Sequence, residues 1–145
     1  MKKSELSWGN VTMQVKQILK AKSNKKLFSV YGGSTVNEAV NLLSSKRVGS
    51  VVVLDENDDL VGIYSERDTI SALAASGPNC LESTVNQFMT KTVETCSPTD
   101  QGDEILKRMT EGRFRHMPVM ENGKLVGMIT IGDIVKSRLD TLVLE

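Results

Sequence analysis

The chain has 145 residues, enough for one domain or two closely packed half-domains. Hydrophobic residues make up 39% and charged residues 25%, with a formal net charge of zero, which excludes a global field aimed at nucleic acid or an anionic membrane. No apolar run approaches the roughly 20 residues that span a bilayer, and Met1-Lys2-Lys3-Ser4-Glu5 lacks the apolar core of a secretory signal.

Residues 1–26 read as an N-terminal tail and a short helix. Val11, Val15, Ile18 and Leu19 recur at helical spacing. Lys2, Lys3, Lys16, Lys20, Lys22, Lys25 and Lys26 make this stretch locally basic, and they are read as a solvated face. Residues 27–78 form a first unit: a strand at 27–30, a break at Gly32-Gly33-Ser34, a helix faced by Val36, Ala39, Val40, Leu42 and Leu43, a β-branched strand at 50–54, an acidic turn at 55–59, a strand at 60–64 and a helix at 65–75 stopped by Gly77-Pro78. Residues 79–92 are a crossing segment. Residues 93–145 form a second unit in the same order: a strand at 93–96, a helix over Ile105, Leu106 and Met109 ended by Gly112, a strand at 116–120, a hairpin turn at 121–124, a strand at 125–129 and a helix at 130–142. Pro118, which has no N–H, predicts an edge or a bulge. Cys80 and Cys96 lack metal-like spacing and suit a reducing cytoplasm.

The two units repeat one another. Leu60-Val61-Gly62-Ile63-Tyr64-Ser65-Glu66-Arg67-Asp68 is echoed by Leu125-Val126-Gly127-Met128-Ile129-Thr130-Ile131-Gly132-Asp133. Residues 48–53 align with 114–119 at an offset larger by one, so the second hairpin turn is one residue shorter. A unit this small buries a core poorly alone, which predicts that the halves pack together.

Ser65-x-x-Asp68 and Thr130-x-x-Asp133 each stand where a strand meets a helix. Taken singly, either is a capping box, in which the hydroxyl and the carboxylate satisfy first-turn N–H groups. The duplication opens a second reading. Each motif follows a glycine inside a strand, where something must approach closely, and a helix N-terminus attracts anions. A carboxylate beside such a terminus suits the vicinal hydroxyls of ribose. Arg67 lies inside the first motif, Arg113, Arg115 and His116 cluster at a second-half strand start, and Arg47 aligns with Arg113. Arginine's planar fork suits phosphate oxygens. Two other function classes remain open: an enzyme using Ser65 or His116, although Gly62-x-x-Ser65 is not a nucleophile elbow, and nucleic-acid binding through the N-terminal lysines.

These residues resemble a tandem CBS-domain protein, a Bateman module. The resemblance runs from about Val11 to Leu142 and rests on Arg47-Val48-Gly49-Ser50-Val51-Val52-Val53-Leu54-Asp55, the 62–68 and 127–133 motifs, Thr84-Val85-Asn86-Gln87-Phe88-Met89-Thr90 and Arg115-His116-Met117-Pro118-Val119. It implies an α/β (α+β) fold of two tandem β-α-β-β-α units with pseudo-twofold symmetry, packed through their sheets. It also implies clefts between the units that hold AMP, ADP, ATP or S-adenosylmethionine as regulatory ligands, with no required cofactor and no metal. Carried over, Asp68 and Asp133 bind ribose hydroxyls, Ser65 and Thr130 contact ribose or phosphate, and Arg67, Arg115 and His116 meet phosphate. Adenine lies against Val48, Gly49 and Val52 in one cleft and Phe114, Met117 and Pro118 in the other. Thr35 matches the family's usual threonine before a helix. The second half departs from the pattern with Gln101-Gly102, and Gly132 replaces Arg67, so the clefts are not equivalent; the Asp133 cleft is expected to bind better. The implied protein is a stand-alone cytoplasmic sensor acting on a protein partner, and a homodimer through faces such as Val135, Leu139 and Leu142.

Overall fold

The computed structural model of the protein describes residues 13–22 and 26–144. The expected tail, Val11, Lys2, Lys3 and Lys25 lie outside the described residues, as does the side chain of Leu142. The chain divides into two compact units: residues 27–93 form the first module, and 94–144 form the second together with 13–22 and 26. Each is a mixed α+β unit with a small sheet and helices.

In the first module, β1 (Ser29–Tyr31) runs parallel to β2 (Ser50–Leu54), which pairs antiparallel with β3 (Leu60–Ser65). β2 has a β-branched centre, which suits a pleated surface buried on both faces, and Val51, Val52 and Val53 are fully or almost fully buried. Asp55 shapes the turn after β2 by accepting the N–H groups of Asn57 and Asp59, both at 2.9 Å. Helix α2 (Val36–Lys46) lies between β1 and β2, and α3 (Glu66–Ser76) follows β3. Thr35 caps α2 by accepting from Glu38 N–H at 3.1 Å. After α3 come a 3-10 turn (Gly77–Glu82) and α4 (Val85–Phe88). Val36, Ala39, Leu43, Val51, Val53, Tyr64 and Val85 form the core.

The second module opens with α1 (Val15–Ala21), which precedes β1 in the chain. It continues with α5 (Gly102–Gly112), β4 (His116–Glu121), β5 (Lys124–Thr130) and α6 (Ile131–Leu144). Asn122 and Gly123 both have positive φ, 53° and 77°, the signature of a tight two-residue hairpin. Val15, Ile18, Cys96, Ile105, Met109, Met117, Val119, Ile129 and Ile134 form its core. Burial pushes the Cys96 thiol up to about 12. A largely buried Arg138 pairs with Asp103 at 3.2 Å and ties α6 to α5.

The short helices exchange places. Helix α4 precedes the second repeat in sequence but completes the first module, where Val36 N–H reaches Ser83 O and Val85 N–H reaches Ser34 O, both at 2.8 Å. Helix α1 precedes the first repeat but completes the second module. Gly102 N–H there reaches Met13 O at 2.8 Å and Val15 N–H reaches Asp100 O at 2.9 Å. The departure at Gly102 has its reason in this contact. A Cβ there would stand 2.9 Å from Ile18 Cδ1 and 3.1 Å from the Met13 carbonyl oxygen.

One expected strand does not form. Residues 93–96 make only a single parallel bridge, Cys96 to Val119, so the second sheet has two strands. The proline accounts for it. In the first module Val52 N–H donates to Phe28 O at 3.2 Å, one rung of the β1–β2 ladder. Pro118 occupies the matching position and has no N–H to give. The pairing contracts to Cys96 N–H to Pro118 O and Met120 N–H to Cys96 O. The register shift between Val119 and Met120 is shared with the first hairpin, between Val53 and Leu54, and is not the proline's doing.

Candidate functional site

Each module presents one strand-to-helix mouth. In the first, Asp68 Oδ2 accepts from Ser65 N–H at 2.8 Å and from the Ser65 hydroxyl at 3.1 Å, while Asp68 N–H donates to Ser65 Oγ at 3.3 Å. In the second, Asp133 Oδ2 accepts from Thr130 N–H at 2.9 Å and Asp133 N–H donates to Thr130 Oγ1 at 3.0 Å. Both capping boxes are therefore real. They fix each carboxylate at the positive end of its helix, half-buried but reachable from solvent.

The β2–β3 and β4–β5 pairs bring further residues to these mouths. Gly49 O accepts from Glu66 N–H at 3.0 Å, and Arg115 O accepts from Ile131 N–H at 3.1 Å, so each strand start is tied to the first residue of the helix. Ser50 is the register partner of Ser65, and His116 of Thr130. Gly49, Ser65 and Asp68 are thus gathered in one module, and Arg115, His116, Thr130 and Asp133 in the other. Ser50 Oγ is buried with no hydrogen-bond partner, an orphan donor beside Ser65. Arg67 and Arg115 are exposed, and Val48 is half-buried. Val52, Met117 and Pro118 are buried in the strands. Thr35 has its hydroxyl on the α2 cap and pairs with Thr84. Arg47 and Arg113 close α2 and α5 in the left-handed region, with φ of 55° and 58°, so their shared backbone role is to end a helix.

The glycines inside the strands are explained by the protein itself. A Cβ on Gly62 would lie 2.7 Å from Met89 Sδ and 2.9 Å from Thr90 O, and one on Gly127 would lie 3.2 Å from Leu19. The close neighbour is the chain's own exchanged segment, not a ligand.

Two residues at the mouths were invisible in the sequence. Thr90 Oγ1 donates to Asp68 Oδ1 at 3.1 Å, and its backbone pairs with Ile63 at 2.8 Å and 3.0 Å. Lys22 does the matching work in the second module: its ammonium lies 2.9 Å from Asp133 Oδ2 and donates to Met128 O at 2.9 Å. Lys22 was read as part of a solvated face, yet its side chain is only 19% exposed. Helix α1 runs seven residues where α4 runs four, so Lys22 and Thr90 do not align between the repeats; Thr90 ends the family-like stretch 84–90 without a role being legible there, and Lys22 carries no signal. A cavity of about 120 Å³ opens beside this pair, lined by Ile18, Ala21, Lys22, Asp133, Lys136, Ser137 and Asp140. It is well below the ~300 Å³ of a small-ligand pocket and would take only part of a nucleoside. Among the described residues no cluster suits a metal ion, and no helix is long and apolar enough to cross a membrane.

The CBS domain family model matches residues 15–75 and 85–140, across both repeats and both exchanged helices. The chain belongs to the CBS-domain family. This tandem CBS pair is similar to the crystal structure of the CBS-domain containing protein ATU1752 from Agrobacterium tumefaciens, with 39% identity and a TM-score of 0.83 over 88% of this chain and 94% of that one. It is 34% identical over 116 residues to an uncharacterized 17.7 kDa protein of Acidianus ambivalens, covering 79% of this chain and 69% of that protein. The CBS domain pair of protein MJ0100, solved in complex with 5′-methylthioadenosine and S-adenosyl-L-methionine, is 25% identical with a TM-score of 0.75, over 86% of this chain and 94% of that one. The matched region spans about a fifth (21%) of the length of CBS domain-containing relatives from Arabidopsis thaliana.

Proposed function

We propose that this CBS pair is a regulatory module that binds adenosine-type ligands, with Asp68 and Asp133 holding ribose hydroxyls at the two helix mouths. The observation that carries the reading is the duplication itself. Two carboxylates are fixed at equivalent helix N-termini, each beside a strand start, in a family whose MJ0100 member is solved with two adenosyl ligands. The buried, unpartnered Ser50 hydroxyl adds an unused donor at one mouth. Arg67 at the first mouth and Arg115 and His116 at the second are the candidates for phosphate. A regulatory role is favoured over catalysis. The Ser65 hydroxyl is bonded to Asp68 within the helix cap, and Gly62-x-x-Ser65 is not a nucleophile elbow. Exposed Ile70 and Leu73 on α3 and Val135 and Leu139 on α6 give each module an apolar helix face, which supports pairing with a second copy.

The test is a thermal-shift and calorimetry panel of AMP, ADP, ATP, 5′-methylthioadenosine and S-adenosylmethionine. A ligand at 100 times its Kd stabilises by about 2.7 kcal/mol, a rise in Tm of several degrees for a chain of this size. A folded protein with no heat and no shift across the panel overturns the proposal.

A further inference from the structure

We infer that Lys22 makes the Asp133 mouth selective for phosphate-bearing adenosine ligands over uncharged ones. The inference rests on the ribose reading of Asp133 and adds to it a specificity residue from outside the repeat motif.

The two mouths differ in charge at two aligned positions and at one contact made by residues that do not align. Lys22 contacts Asp133 where Thr90 contacts Asp68. Arg115 gives its carbonyl to the first residue of α6 where Gly49 gives its own to α3. His116 pairs with Thr130 where Ser50 pairs with Ser65. The reverse difference occurs once, at Arg67 and Gly132. Lys22 therefore bonds one carboxylate, with Arg115 and His116 at the adjoining strand start, while the other mouth has Arg67 in the first turn of its helix.

Lys22 differs from the other two because it bonds the carboxylate directly. A ligand whose ribose takes Asp133 must share it with the ammonium at 2.9 Å. An uncharged nucleoside offers only hydroxyls in exchange, so the ammonium loses a charged partner and gains none. A phosphate-bearing ligand replaces that partner with another anion. The ammonium has three donors, of which Met128 O and Asp133 Oδ2 take two, and the cavity beside it leaves room for a further acceptor. Asp140, the other carboxylate lining that cavity, is paired with Lys136 at 3.3 Å.

The experiment measures ADP and 5′-methylthioadenosine by calorimetry on the full chain in an Asp68→Ala background, which leaves the Asp133 mouth. Adding Lys22→Thr gives this mouth the hydroxyl of its counterpart. The ratio of the two affinities should shift against ADP by about tenfold or more, the size of one charge-assisted hydrogen bond, with 5′-methylthioadenosine binding unchanged or tighter. Lys22→Arg should keep the preference. In an Asp133→Ala background, Thr90→Lys should move the Asp68 mouth toward ADP. Raising the salt should erode the ADP preference more steeply in the Lys22 protein than in the threonine variant, where Arg115 is the remaining cation. An unchanged ratio in both the Lys22→Thr and Thr90→Lys proteins, or an equal loss of both ligands, overturns the role of Lys22 and leaves ribose binding standing. Absence of binding by either ligand to the unsubstituted protein overturns the ribose reading, and this inference with it.

Discussion

The two modules solve one structural problem with different chemistry. Each must hold a carboxylate at the mouth of the helix that follows its hairpin and bind an exchanged helix against the strand that leads there. The first module does both with Thr90, whose backbone pairs with Ile63 and whose hydroxyl reaches Asp68. The second lets α1 run longer and uses one ammonium, Lys22, for the carbonyl of Met128 and the carboxylate of Asp133. A repeat can keep its geometry while its electrostatics diverge, because a threonine's amide and hydroxyl together, or one lysine ammonium, reach the matching carbonyl and carboxylate.

The largest contrast should appear at high pH. The Cys96 thiol, buried in the second module, is pushed up to about 12 from an ordinary 9.0. Its contribution is fully present below pH 9. Above that the unfolded chain loses the proton and the native state keeps it, so stability should fall by up to about 4 kcal/mol as pH rises toward the native value. Chemical denaturation from pH 8 to 11 should show a shallower decline in Cys96→Ala than in the parent; parallel declines would mean that burial does not hold the thiol neutral.

The carboxylates come next. Asp68→Ala and Asp133→Ala should each lower stability by about 0.5–2 kcal/mol through the lost cap, with Asp133→Ala the costlier because Lys22 is left half-buried without its anion. As ribose anchors, each should also weaken binding at its own mouth by about 1.5–3 kcal/mol, read by calorimetry. Intact affinity with lowered stability would leave both residues as caps only.

The strand glycines give a smaller but sharper contrast. Gly62→Ala forces a Cβ to within 2.9 Å of a backbone oxygen, whereas Gly127→Ala meets only the tip of Leu19. The first should cost about 1–3 kcal/mol in urea denaturation and the second well under half of that. Equal costs would show that the exchanged segments are held with equal rigidity. Smallest of all, Thr90→Val removes one exposed hydroxyl bond and should cost no more than about 1 kcal/mol by the same measurement.

Much of this was legible in the chain. The β-branched apolar run of residues 50–54, the Asn122-Gly123 turn and the repeated hydroxyl-x-x-Asp boxes are local signals, and the elements form where they point. Pro118 pointed to an edge or a bulge in its own strand, whereas the effect of its missing N–H is the loss of the strand expected at 93–96. Three matters needed tertiary structure. The strand glycines pointed to a close neighbour without saying that it was Met89, Thr90 and Leu19. The lysine-rich stretch read as solvated, because charge patterning cannot tell an ammonium in water from one beside a carboxylate far along the chain. The exchange of α1 and α4 between modules carries no local signature, since either helix offers a similar apolar face to either repeat.

By itself, then, the sequence determined the repeat, its elements and the two capped carboxylates, because propensity, turn chemistry and capping act over a few neighbouring residues. Only the folded chain decided which helix completes which module and which group each aspartate meets. Those pairings join residues more than a hundred positions apart, as Lys22 is from both Met128 and Asp133, and long-range contacts are selected by packing and charge in three dimensions rather than by spacing along the chain.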